Sequence, residues 1–281
     1  MSEKQTPQTP QATPHWRGDL LYYTFPLLQQ FSDRLTHGFS TRLGGVSGGG
    51  MASLNLGISR GDDPACVAEN HARFSAAVGY DWRRTVLSQQ THSTQLRLAT
   101  AADAGKGLVR SRDYQHVDGL ITATQQLPLM TQYADCTPLL FYAPDRHIAA
   151  TAHAGWRGTA AGMARHTAES LAALGCDLKR LHAVIGPAAG PCCYQVDAAT
   201  AAHFRALADE AGPVVVPDAA AAGKFLLDLW RANRCQLLAA GLLPQHVAVS
   251  GLCTICHADI FYSHRVQGEA RGALSAVIML K

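Results

Sequence analysis

Charge is scarce in this 281-residue chain: 16% of it is Asp, Glu, Lys or Arg, against roughly 25% in an average soluble protein. So low a fraction argues against a disordered or supercharged chain. Lysine is scarcer still, with 5 against 19 arginines, and the net charge is only +3 with no basic cluster. A dedicated nucleic-acid or anionic-membrane binder shows a basic patch or stripe, so neither partner is expected. Long apolar runs are missing too. The longest stretch free of charged residues includes 241–258, which holds Pro244, Gln245, His246, Ser250 and Gly251 and would span a bilayer badly.

Several signatures are also absent. The Gly-rich segment 39–50 ends in no Gly-Lys-Ser/Thr and contains no GxGxxG, so neither nucleotide fingerprint is present. No two histidines lie two apart, which excludes the paired H-x-H ligands of a four-copper oxidase. The N-terminal MSEKQTPQTPQATPH has no apolar stretch and shows no secretory signal, so a cytoplasmic protein with reduced thiols is expected. Against these absences stand 8 Cys and 13 His. Reduced cysteine beside abundant histidine raises a metal site or a reactive thiol as the first functional question.

Residues 1–15, rich in Pro, Gln and Thr, read as a disordered tail, and 16–281 as one catalytic domain. Strands are expected at 36–41, 84–88, 94–100, 127–133, 139–143, 148–152, 182–185, 247–252 and 274–280. Helices are expected at 64–78, 159–174 and 225–240, each ending at a glycine, and at 198–211. The order is not a strict βαβ alternation. An α+β fold, a single domain of mixed sheets flanked by helices, fits this pattern.

Three strand ends carry chemistry. Ala152-His153-Ala-Gly-Trp-Arg-Gly158 runs from an apolar strand through a glycine loop into a helix, where Arg157 and free N–H groups suit an anion. Ser88-Gln-Gln-Thr-His92-Ser93 and Gln132-Tyr-Ala-Asp-Cys136-Thr-Pro138 have the same shape. Each His or Cys alone reads as readily as a core residue. If the fold brings them together, two His and one thiolate leave zinc an open fourth position, the mark of a catalytic site. Alternatively Cys136 is a nucleophile with a nearby His as base, and Asp135 or a glutamine orients the pair or stabilises an oxyanion. Arg42, in the Gly-rich loop, offers a planar fork for phosphate. Cys253-Thr-Ile-Cys256 is a CxxC without a second CxxC; His257 and His264 could complete a structural site with it. The adjacent Cys192 and Cys193 cannot readily bridge each other, and Cys66, Cys176 and Cys235 read as packing residues.

The ordered segments HGFSTRLGGVS, SLNLG, QQTHS, DGLIT, ADCTPLLFYAPD, HAGWRG, IGPAAGPCCYQV and CT…FYSHR resemble the laccase-domain (polyphenol oxidase-like) family over residues 20–281. That family is regarded as zinc-dependent purine nucleoside phosphorylases. The resemblance implies metal ligands at His92, Cys136 and His153, a catalytic part for Cys136 and Arg42, and substrate contacts from Arg42 and Asn55. Gln90 and Arg157, flanking two of the ligands, complete the expected substrate site. It further implies phosphorolysis of adenosine, inosine, guanosine and methylthioadenosine, adenosine deamination, and a fold like that of a toxin with a Cys–His deamidase site. Some relatives are linked to peptidoglycan editing, which keeps a Cys136 amidase open. Copper is the alternative occupant of the same ligands. The expected partners are purine nucleosides and phosphate, and the expected state is a monomer. Departures from the family pattern are Thr91 and Ser93 around His92, Gln195 in place of a frequent Glu, and His264 in place of an aromatic residue.

Overall fold

The computed structural model describes residues 11–281. Two six-stranded sheets lie face to face. The first runs, in spatial order, Thr13–Arg17, Leu20–Thr24, Leu35–Ser40, Leu274–Leu280, Leu129–Tyr133 and Val86–Leu87. The second runs Val247–Val249, His182–Ile185, Thr137–Ala143, Ile148–Ala154, Gly119–Thr122 and Leu96–Leu98. Both are antiparallel in the middle. The Val86–Leu87 pair and both outer pairs of the second sheet are parallel.

Alternation along the strands explains the layering. In Thr137–Ala143, Leu140 and Tyr142 join Tyr133, Ala276 and Ile278 in the core between the sheets. Leu139, Phe141 and Ala143 point the other way, onto Met163, Ala168 and Leu171 of helix Met163–Ala173 and Leu237 of helix Leu229–Ala240. On the outer face of the first sheet, Met130 and Val277 meet Phe74 of helix Pro64–Val78. The central strands are buried on both faces and therefore read as continuous apolar runs. The result is a mixed α+β domain, as expected, with the layers ordered helix, sheet, sheet, helix.

The differences from expectation have local causes. Residues 13–15, expected in the tail, lie in a strand: Thr13–Arg17 pairs with Leu20–Thr24, Thr13 opposite Thr24, while residues 1–10 lie outside the described residues. The expected helix 159–174 is two helices, Trp156–Ala160 and Met163–Ala173, broken where Gly162 takes φ +86°. The expected helix 225–240 begins only at Leu229, because Asp228 accepts the Arg231 N–H as its N-cap; Lys224–Leu227 is a strand. Of the expected helix 198–211 only Ala198–Ala202 is helical, and a small hairpin follows, pairing Ala208 with Pro213.

Candidate metal centre

The site lies at one end of the second sheet. His153 is the next-to-last residue of its strand, and Cys136 directly precedes the neighbouring strand. Their antiparallel register sets Pro138 opposite His153, so one strand pair brings imidazole and thiol together. His92 comes from the loop after Val86–Leu87 and sits at φ +63°, a region non-glycine residues rarely use.

One residue that sequence reasoning assigned no role holds this arrangement. Asp118, fully buried, heads the strand Gly119–Thr122 that pairs with the His153 strand. Its Oδ1 accepts the His92 N–H at 3.0 Å and lies 2.9 Å from His153 Nδ1. Its Oδ2 accepts the Thr91 N–H at 3.0 Å, the Ser93 N–H at 2.9 Å and the Ser93 hydroxyl at 2.7 Å. A single carboxylate thus shapes the loop that carries His92 and orients the His153 ring. With Nδ1–H given to Asp118, the His153 Nε2 lone pair faces the cluster, the pattern of carboxylate-oriented metal histidines. The only visible sequence signal was a charged residue at the head of the apolar DGLIT strand.

The donor atoms of His92, Cys136 and His153 all lie within 4.8 Å of one another, and Cys136 Sγ is 3.8 Å from His92 Nε2. His153 is buried, Cys136 half-buried and His92 exposed, so the cluster opens to solvent on the His92 side. Burial disfavours charge on both Cys136 and His153. Each nevertheless supports the other's charge, aided by Asp118 and His92: the thiol is held down to about 6 and His153 is raised to about 9. Asp118 is likewise penalised by burial, yet its bonds from His153 and Thr91 hold it well below the usual carboxylate range.

Space for the cluster depends on Gly155. A Cβ there would lie 2.7 Å from His92 Cδ2 and 3.0 Å from Cys136 Sγ. One nitrogen pair and one thiolate, clustered within reach of a single ion, with a carboxylate behind one imidazole and no side chain in the way, fit a borderline metal such as zinc.

Asp135 does not orient the pair. It turns the chain at φ +81° so that Cys136 enters the cluster. Its own carboxylate faces away, accepting the Thr254 hydroxyl at 2.6 Å, the Ser263 hydroxyl at 3.0 Å and the Arg265 N–H at 2.8 Å.

The remaining expected residues are placed as follows. Arg42 donates from Nε and Nη2 to the Ala52 carbonyl and from Nη1 to the Ala258 carbonyl, with its guanidinium over the Tyr262 ring. Asn55 is fully buried; it donates to Asp62 at 2.8 Å and accepts the Gly57 and Ala273 N–H groups, both at 2.9 Å. Gln90 clasps the backbone of Gln132 from both ends of its amide. Arg157 is exposed and stacks on Trp156. A further arginine, Arg271, is half-buried with a buried Nε that has no partner. Burial and the neighbouring Arg60 lower its pKa, and the charges of Asp135 and Cys136 act on it in the other direction. A cleft of about 830 Å³ along residues 107–115, with Ile58 and Gln89, holds none of the three ligands. Gln195 donates to Asp218 at 2.7 Å, so an amide rather than a carboxylate suits that position here. Cys253 and Cys256 are joined not by His257 and His264 but by Cys192 and Cys193.

Residues 36–281 match the family described as multi-copper polyphenol oxidoreductase laccase. The chain belongs to this family. It is 37% identical over 251 residues to the purine nucleoside phosphorylase YlmD of Geobacillus stearothermophilus, covering 86% of this chain and 88% of that one. It is 38% identical over 255 residues to a purine nucleoside phosphorylase of Deinococcus radiodurans, covering 91% and 93%. The crystal structure of YlmD from Geobacillus stearothermophilus superimposes with a TM-score of 0.86 at 33% identity, over 97% of this chain and all of that one. The Bacillus licheniformis hypothetical protein YfiH gives the same TM-score at 32% identity, over 94% and 97%. The multi-copper description finds no ligand set for a trinuclear cluster among the described residues. Among the described residues only two groups of His, Cys, Asp or Glu are close enough to share an ion, and the one with histidines has two. No described helix is long and apolar enough to cross a membrane.

Proposed function

We propose that this chain is a zinc-dependent purine nucleoside phosphorylase that also deaminates adenosine. It acts in the cytoplasm, as a monomer, on adenosine, inosine, guanosine and methylthioadenosine. The observation that carries the reading is the open His92–Cys136–His153 cluster backed by Asp118, in a chain whose relatives bear the phosphorylase name. Zinc on these ligands supplies a Lewis acid beside the substrate. Asp118 keeps the His153 ring in one tautomer, with Nε2 left to hold the ion beside Cys136.

Phosphorolysis forms a bond from phosphate oxygen to the ribose C1′ as the bond from C1′ to the base nitrogen breaks; the base leaves with that electron pair and takes up a proton. Such a reaction depends on positioning and on cations placed near the anion. Arg157, exposed just past the His153 strand, and Arg271, whose charge interacts with Cys136, are the arginines we assign to the phosphate. Arg42, Asn55 and Gln90 build the walls, since their polar atoms are already engaged by the chain. The test is adenosine turnover by metal-analysed protein with and without phosphate. Phosphate-dependent adenine and ribose 1-phosphate support the reading, inosine reports the deamination, and neither product from zinc-loaded protein overturns it.

A second reading rests on the same geometry. Cys136, His153 and Asp118 stand in the order of nucleophile, base and orienting carboxylate, as a Cys–His hydrolase with a deamidase-like fold would need. Amide hydrolysis by zinc-free protein, lost in Cys136→Ser, would favour it over the phosphorylase.

A further inference from the structure

The second thiol cluster belongs to no part of the proposed reaction. Cys192 and Cys193 follow the loop 186–190, and Cys253 and Cys256 lie in the turn after Val247–Val249. Backbone bonds zip the two segments together: Ala188 N–H donates to Leu252 O, and Thr254 N–H to Ala188 O. Gly190 allows the close approach, since a Cβ there would lie 2.8 Å from the Trp230 ring and 3.1 Å from Cys253 Cβ. All four Sγ atoms then fall within 4.8 Å of one another.

We infer that these four cysteines form a tetrathiolate site for one zinc ion, separate from the His92–Cys136–His153 centre. The distances favour a shared ion over disulfides. Zinc–sulfur bonds of about 2.3 Å in a tetrahedron set the sulfurs roughly 3.8 Å apart. Cys256 Sγ lies 3.3 Å from Cys193 Sγ and 3.5 Å from Cys192 Sγ, near two partners at once, whereas a disulfide selects one at about 2.05 Å. Cys253 Sγ has the surroundings of a thiolate: it accepts the Gly190 N–H at 3.2 Å and the Cys256 N–H at 3.5 Å. An all-sulfur tetrahedron selects zinc or iron over harder ions, and four donors with no open position make the site structural. Binding is not a redox step. Four thiols release four protons as four zinc–sulfur bonds form.

The ion would act as a staple beside the catalytic centre. Thr254, between the two ligands of the turn, donates to Asp135, and the Asp135 carbonyl accepts the Ala189 N–H at 2.9 Å. Closing the cluster therefore clamps both segments that hold the residue before Cys136.

The test is metal content per chain of the full-length protein, purified without chelator under reducing conditions, together with its non-reducing denatured mass. Two zinc ions per wild-type chain are expected, one in Cys256→Ser, one in His153→Ala and none in the double variant. One ion in the wild type, unchanged in Cys256→Ser, overturns the proposal. So does iron in place of the second zinc, or a mass showing these cysteines joined as disulfides. Should Cys256→Ser fail to fold, cobalt loading of the wild type decides. Two equivalents together should give several times the sulfur-to-cobalt absorption of a single thiolate ligand; a total matching one thiolate overturns the site. The count does not depend on whether nucleosides are substrates.

Discussion

Asp118 and His153 meet at 2.9 Å in the interior, and that one contact links the backbone of a surface loop to the electronics of a buried imidazole. The other bonds of the same carboxylate all go to residues 91–93. Asp118→Asn keeps the size but turns an NH₂ toward groups that donate. Removing such an outer partner lowers metal affinity 10- to 100-fold in comparable sites. A drop of about that size is expected in zinc competition against a chelator. A buried donor left facing a donor also costs about 1–3 kcal/mol, read as a lower urea midpoint. Unchanged zinc affinity would remove Asp118 from the metal's support.

Gly155 gives a test of space without chemistry. Its φ is −66°, which any residue adopts, so Gly155→Ala places no strain on the backbone. The added methyl instead meets His92 and Cys136 at under-normal distances. Overpacking of this kind costs roughly 1–3 kcal/mol where neighbours cannot give way. His92 is exposed and can swing, so a ligand should be lost while the fold survives. The expected result is a near-normal melting temperature with one zinc fewer per chain. Full zinc and normal turnover would show that the three side chains do not converge as described.

Asn55 separates a wall residue from a substrate contact. Its amide oxygen accepts two backbone N–H groups, from Gly57 and from Ala273, which lie far apart in the chain. Asn55→Ala leaves both buried donors unmet, for a loss of at least about 2 kcal/mol in unfolding free energy. Activity should fall through unfolding, with KM of the surviving folded protein near normal. A stable variant with a raised KM would instead make Asn55 a nucleoside ligand.

Much of this arrangement was legible from residues alone. All nine expected strands are present; most are buried on both faces and so leave continuous apolar runs bounded by turn residues, while Leu96–Leu98 at the sheet edge is partly exposed. His92, Cys136 and His153 were visible as strand-end residues, but their convergence was not: it depends on the register that puts Pro138 opposite His153. Asp118 was hidden because a buried carboxylate earns its role from backbone N–H groups 25–27 residues away, which no spacing encodes. The four-cysteine cluster escaped for the same reason, its halves lying some 60 residues apart. The helix expected at 225–240 failed differently. Phe225, Leu226 and Leu227 prolong an apolar face, and only the Asp228 cap marks where the helix starts.

Two buried histidines outside the site are expected to make the fold sensitive to acid. His37 accepts the Phe25 N–H at Nε2, which requires a neutral ring, and burial lowers its pKa to about 3. His71 lies 3.0 Å from the Leu56 carbonyl, has an unpartnered buried Nδ1, and is lowered by burial to about 4. In the unfolded chain both titrate near 6.5. Between that value and their folded values the unfolded state binds protons that the folded state refuses, so stability falls as pH falls. At about 1.4 kcal/mol per unit, His71 alone should remove roughly 3 kcal/mol by about pH 4. His71→Gln can still donate toward Leu56 but has no proton to gain. Its urea midpoint should therefore decline less steeply than the wild type's between about pH 6.5 and 4.5. Metal loss at low pH affects both proteins alike and cancels in the comparison. Parallel declines for the two proteins would mean that His71 does not set the acid sensitivity.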